Sequence, residues 1–137
     1  MAVVEELIRT EENGAISFGN HLLSEKAKKE DYECAGDMYK VKTYATMTKL
    51  ERNGMFVYES VPGTSVENFV ETASGVTFKV CGAEDAQITL GLNDDTEYKV
   101  YVDGVSAGHM KTNMGGKLVI SLELAGSAEQ EVKVTKA

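Results

Sequence analysis

From Lys117 to Leu124 the chain alternates steadily. Leu118, Ile120, Leu122 and Leu124 are apolar, and Lys117, Ser121 and Glu123 between them are polar. Successive side chains of a β-strand point to opposite faces, so a period of two predicts a strand with one buried face. The same period appears over 76–80 (Val76, Phe78 and Val80 on one side) and over 87–92 (Ile88, Leu90 and Leu92). Over 98–103, Tyr98, Val100 and Val102 share a face, opposite Lys99, Tyr101 and Asp103. A short strand over 131–134 ends the series, with Val132 and Val134 inward. Five strands with one apolar face each need a second sheet, or barrel closure, to cover that face.

The first half is less regular. Segments 38–44, 46–51 and 55–59 read as strands, the last two joined by Asn53-Gly54. Asn-Gly and Asp-Gly favour the tight hairpin turn, whose central residues both need positive φ. Asn13-Gly14 therefore predicts a hairpin between 7–10 and 15–18, although Val3, Val4, Leu7 and Ile8 would also fit one helical face. Asp103-Gly104, Gly115-Gly116 and Gly126-Ser127 add further turns. Segment 21–29 is expected as a short helical turn or a loop crossing between sheets. The result is an all-β chain, a single-domain antiparallel β-sandwich over 1–137, Ig-like or jelly-roll-like, or a partly closed barrel. Its first half (1–63) is hairpin-rich and its second (64–137) carries the clearest strands.

Tyr39-Lys40-Val41 and Tyr98-Lys99-Val100 repeat three letters, each followed by a turn, a glycine and an apolar strand. The gaps differ, so the pattern is expected to mark core strands rather than half of a site.

With 137 residues the chain can bury a core without metal or disulfide staples. Its net charge is −8 and Arg9 and Arg52 are its two arginines, which leaves little capacity to neutralise phosphates, so no nucleic-acid partner is expected. No basic segment leads into an unbroken apolar run at the start, and no segment approaches the ~18 apolar residues of a bilayer span. No membrane partner is expected and the default location is cytoplasmic. That setting favours Cys34 and Cys81 as thiols; both end apparent strands, so a disulfide between neighbours is the alternative.

Reactive groups are thin. His21 and His109 lack partners at metal-ligand spacing, and His109 follows Gly108 in an expected loop. Neither cysteine stands near a histidine in sequence, and no phosphate-binding or nucleophile-elbow motif occurs. Glu84-Asp85 and Asn93-Asp94-Asp95 are acidic. Were the two loops to meet, Glu84, Asp85, Asp94 and Asp95 could hold Ca²⁺ through oxygen ligands; otherwise these residues cap their own turns. Alternation turns Tyr44 and Tyr101 away from the core, as a sugar-stacking platform or as cross-strand packing. Met110 and Met114 surround a glycine-rich stretch and are candidates for an apolar contact.

Three phrases carry a family resemblance: Asn53-Gly54-Met55-Phe56-Val57-Tyr58-Glu59-Ser60-Val61-Pro62-Gly63, Glu84-Asp85-Ala86-Gln87-Ile88-Thr89-Leu90, and Thr96-Glu97-Tyr98-Lys99-Val100 leading to Asp103-Gly104. They resemble a family of small bacterial all-β proteins that often carry the transferred label "endosialidase". The resemblance implies a glycan-associated setting and brings no catalytic residues. Sialidases clamp the substrate carboxylate with three arginines, and two arginines cannot supply that clamp. Separately, Tyr98 to Leu124 is similar to the immunoglobulin-like modules of bacterial polysaccharide-active proteins, which implies a structural or binding unit. The functional expectation is a non-enzymatic binding or assembly module, homo-oligomeric through its edge strands, with a protein or glycan partner and no cofactor. The alternative is a small glycan hydrolase using a carboxylate pair that the sequence does not single out.

Overall fold

A computed structural model describes residues 3–126 and 128–137. The second residue of the expected Gly126-Ser127 turn lies outside the described residues. Thirteen strands form two antiparallel sheets, with no helix among the described residues. Sheet A has the order β1 (Ile8–Thr10), β2 (Ile16–Phe18), β7 (Ser65–Thr72), β8 (Gly75–Cys81), β13 (Gln130–Lys136), β10 (Glu97–Val102), β11 (Val105–Lys111). Sheet B has the order β12 (Lys117–Leu122), β9 (Ala86–Gly91), β6 (Met55–Val61), β5 (Thr48–Arg52), β4 (Asp37–Thr43), β3 (Ala27–Cys34). The sheets pack as a sandwich and do not close into a barrel. Both halves of the sequence enter both sheets: β2 pairs with β7, and β6 pairs with β9.

Alternation sets the inner faces. Leu118, Ile120 and Leu122 on β12, Ile88 and Leu90 on β9, and Val76, Phe78 and Val80 on β8 are all buried. Both YKV stretches work alike. Tyr39 and Val41 point inward from sheet B, and Tyr98 and Val100 from sheet A, with the lysines outward. The stretch is thus a repeated core strand pattern. At the centre, the rings of Phe18, Tyr58 and Phe69 meet edge to face, with Phe18 and Tyr58 5.2 Å apart, and Phe78 meets Tyr58 in the same way. A β-bulge puts Val57 and Tyr58 both inside, since Leu50 pairs with Tyr58 while Glu51 pairs with Phe56.

The expected N-terminal hairpin forms, with Ile8 opposite Phe18. Segment 21–29 contains no helix: the chain turns after Asn20, crosses from sheet A to sheet B and enters β3 at Ala27. Three strands escaped the alternation rule, namely β3, β7 and β11. Each carries a register shift in one of its ladders, which puts two consecutive residues out of phase. His109 and Met110 therefore lie on β11 and not in a loop; Met110 packs partly against the core, while Met114 is exposed. Cys34 and Cys81 form no disulfide. Cys34 is on β3 in sheet B beside the Asn13-Gly14 turn, and Cys81 pairs with Ser65 in sheet A at the other end of the sandwich.

That other end is tied by buried hydroxyls. Each hydroxyl has one proton, so the order of donation follows. The Asn20 amide donates to Thr43 Oγ1 (2.9 Å), Thr43 to Thr48 Oγ1 (2.8 Å), and Thr48 to the Thr64 carbonyl (2.7 Å). The Thr64 amide returns a bond to Thr48 Oγ1 at 3.1 Å. The Thr64 hydroxyl meets both Tyr58 Oη and Ser60 Oγ at 2.7 Å. Gly63 must be glycine here: a Cβ would stand 1.9 Å from the Tyr44 carbonyl oxygen. Leaving a buried polar group without its partner costs ~1–3 kcal/mol. Thr48→Val removes the shared hydroxyl and strands the Thr64 amide and carbonyl. It is expected to lower unfolding stability by about 1–3 kcal/mol in a urea titration. An unchanged midpoint would show that the knot is dispensable.

Candidate ligand groove at the open end

The opposite end of the sandwich is less filled. Arg52, at the end of β5, reaches across to Glu71 on β7 and forms a short ion pair between the two sheets. The Glu71 hydrogen bond is the chief reason the guanidinium is held above its ordinary pKa. The Tyr39 phenol also bonds Arg52, while its burial pushes its own pKa up. Two hollows share this ion pair as a wall. One, of about 240 Å³, reaches down to Cys34, Tyr39 and Phe69 beside the Asn13-Gly14 turn. The other, of about 340 Å³, is lined by Phe56, Thr72, Leu92, Asn93 and Lys117.

Local sequence explains these placements. Asn53 and Gly54 both take positive φ in the β5–β6 turn, which presents Arg52 and Phe56 on either side of it. The Asn53 side chain accepts from the Met38 amide (2.9 Å) and donates to Asp37 (2.9 Å), fastening this hairpin to the neighbouring one. The Lys117 ammonium lies 4.8 Å from the centre of the Phe56 ring, in cation–π range. Gly91 keeps the floor low, since a Cβ would meet the Phe56 carbonyl oxygen at 2.5 Å. The second hollow thus offers an aromatic ring, an ion pair and side-chain amide and hydroxyl groups within one concavity.

The residues singled out from sequence are placed elsewhere. Tyr44 and Tyr101 are half-buried; Tyr44 lies in the connection between β4 and β5, and Tyr101 is on β10 of sheet A. Tyr44 has Lys26 5.9 Å over its ring, and Tyr101 lines a separate shallow hollow with Glu131 and Lys133. Glu84 and Asp85 precede β9, whereas Asp94 and Asp95 follow it, so a strand of six residues separates the two acidic loops. At about 3.3 Å per residue that is roughly 20 Å. The structure does not bring them together, and no group of three or more acidic, histidine or cysteine side chains fit to hold a metal occurs among the described residues. Asp85 instead accepts from the Ala125 amide (3.0 Å), and Asp95 pairs with Lys111 (3.3 Å).

Two other constellations bear on catalysis. His21 Nδ1 lies 2.7 Å from Ser65 Oγ, but both residues are buried, and burial lowers the imidazole pKa. A serine closed off in the core meets no substrate. On the outer face of sheet A, the Glu129 carboxyl lies against Glu67. Loss of hydration, the hydrogen bond that the protonated Glu129 carboxyl donates to Glu67, and the Glu67 charge raise Glu129 to about 7, with Lys79 opposing. Sequence reasoning singled out none of Arg52, Glu71, Phe56, Glu67 or Glu129 as a site residue. The available signal was Arg52 beside the Asn53-Gly54 turn, in a chain with two arginines.

No family model, no curated protein and no solved structure matches this chain. No helix among the described residues is long and apolar enough to cross a membrane.

Glu129 holds its proton more tightly folded than unfolded, so its contribution to stability is full below the unfolded carboxyl value near 4.5 and is lost as pH rises through about 7. Glu129→Gln keeps the hydrogen bond to Glu67 without the charge. Its melting temperature is expected to exceed that of the natural chain at pH 8, with the two converging near pH 5. Parallel melting curves across that range would refute the shared proton.

Proposed function

We propose that this chain is a non-enzymatic glycan-binding module whose ligand sits in the Phe56 hollow. The observation that carries the reading is the composition of that concavity. An aromatic ring and a charge-paired Arg52–Glu71 wall line the same space of about 340 Å³. Sugars present an apolar ring face edged by hydroxyls, which such a surface complements by stacking and by paired hydrogen bonds. The two glutamates best suited to acid–base chemistry support the non-enzymatic reading. Glu67 and Glu129 share a hydrogen bond, which is closer than the ~5 Å that separates the carboxyls of a retaining glycosidase. They also stand apart from both hollows at the open end.

Binding to an array of neutral and acidic oligosaccharides, followed by calorimetry on any ligand found, tests this. Phe56→Ala is expected to weaken the interaction about tenfold or more, equivalent to ~1.4 kcal/mol. Tyr101→Ala, outside the hollow, is expected to leave it unchanged. An array with no bound glycan, or equal losses in the two variants, would overturn the assignment.

A further inference from the structure

A sandwich of two open sheets has four edge strands, and an exposed edge offers unpaired backbone groups to another chain. Three edges here are blunted. β1 has three residues and lies against β3, with Thr10 Oγ1 2.8 Å from Tyr32 Oη. β3 is bulged between Lys29 and Tyr32, with Asp31 at positive φ and a run of exposed charges. β11 is bulged at Ala107, beside Gly108 at positive φ. The fourth edge, β12, carries none of these devices. Its six residues pair with β9 in unbroken register, it has no proline, and Val119 is 47% exposed.

The direction of its backbone groups can be worked out. The Leu92 amide donates to the Gly116 carbonyl across the β9–β12 ladder. By antiparallel alternation, Leu118, Ile120 and Leu122 then bond to β9, while Lys117, Val119, Ser121 and Glu123 turn theirs to the open side. The outer two are already capped. Asn113 accepts from the Lys117 amide through its side chain (3.0 Å) and donates to the Lys117 carbonyl through its backbone (3.3 Å). The Gln130 side chain donates to the Glu123 carbonyl (2.7 Å). The open stretch is therefore Val119 to Ser121, centred on Ile120.

We propose that β12 pairs antiparallel with β12 of a second copy of this chain, about a two-fold axis through Ile120. In that register Val119 opposes Ser121 of the second copy, and the two exchange both N–H···O bonds, twice over by symmetry. Lys117 and Glu123, whose backbone groups Asn113 and Gln130 already cap, lie beyond the paired stretch. A slip of one residue would present inward-bonded positions to the partner and lose the hydrogen bonds. The same operation joins the two six-stranded sheets into one. It rests on the edge alone and stands whether or not the groove binds a glycan.

Light scattering on the size-exclusion peak of the full chain reads this directly. At tens of micromolar the natural chain is expected at about twice its 14.9 kDa mass. Val119→Pro removes an outward donor that no internal bond uses, so it is expected to run as a monomer with an unchanged circular-dichroism spectrum. Should that variant not fold, a like-charge variant decides. Val119→Glu with Ser121→Glu sets carboxylates directly opposite one another across the two-fold axis and is expected to run as a folded monomer. A natural chain that stays monomeric, a folded Val119→Pro dimer, or a folded dimer of the Val119→Glu, Ser121→Glu chain would each overturn the proposal.

Discussion

Thr64 is held by its amide, its carbonyl and its hydroxyl at once, and the chain passes through it on the way from sheet B to sheet A. A crossing strand must carry its peptide groups through the interior, where water cannot satisfy them. Here the solution is a set of hydroxyl side chains contributed by β4, β5 and β6, of which Thr43 and Thr48 each serve as both donor and acceptor. No buried side-chain nitrogen or oxygen among the described residues lacks a partner. The turn after Asn20 joins the same set, so two of the crossings between sheets are fixed together. The aromatic cluster then fills the space these crossings define, each edge-to-face pair adding ~0.5–1.5 kcal/mol beyond simple burial.

The two ends of the sandwich thus differ in kind. One is tied internally by neutral hydroxyl bonds. The other is spanned by the charged bridge from Arg52 to Glu71, with open space on both sides. Exposed ion pairs contribute little to stability. The same guanidinium and carboxylate present fixed donors and acceptors to whatever occupies the hollows. Stability and recognition are therefore placed at opposite ends of the same strands.

The sequence foretold the fold where strands are regular and bury one face. β8, β9, β10, β12 and β13 show it, as does the hairpin at Asn13-Gly14. It hid β3, whose exposed charges cover little core, and β7 and β11, where bulges break the period of two. The acidic loops were visible as composition, but their separation depends on β9 running its full length between them. The groove was the least legible part. Arg52 and Glu71 are nineteen positions apart and lie in different sheets, joined through a strand, β7, that alternation does not reveal. Phe56 faces the hollow because of the bulge at Val57, and no local propensity encodes that choice.

The chain has six tyrosines and no tryptophan, so its near-ultraviolet absorption and emission come from phenol rings. Those rings fall into distinct settings. Tyr58 is wholly buried, with its ionisation pushed far upward by loss of hydration, and Tyr98 is buried in the same core. Tyr39 borders the hollow beside Cys34 and bonds Arg52. An exposed phenol ionises near 10, whereas the Tyr58 phenol becomes available only when the hydroxyl knot opens. The molecule thus carries its own optical reporters, one ring reading the integrity of the hydroxyl-bonded end and another the state of the charged bridge at the open one.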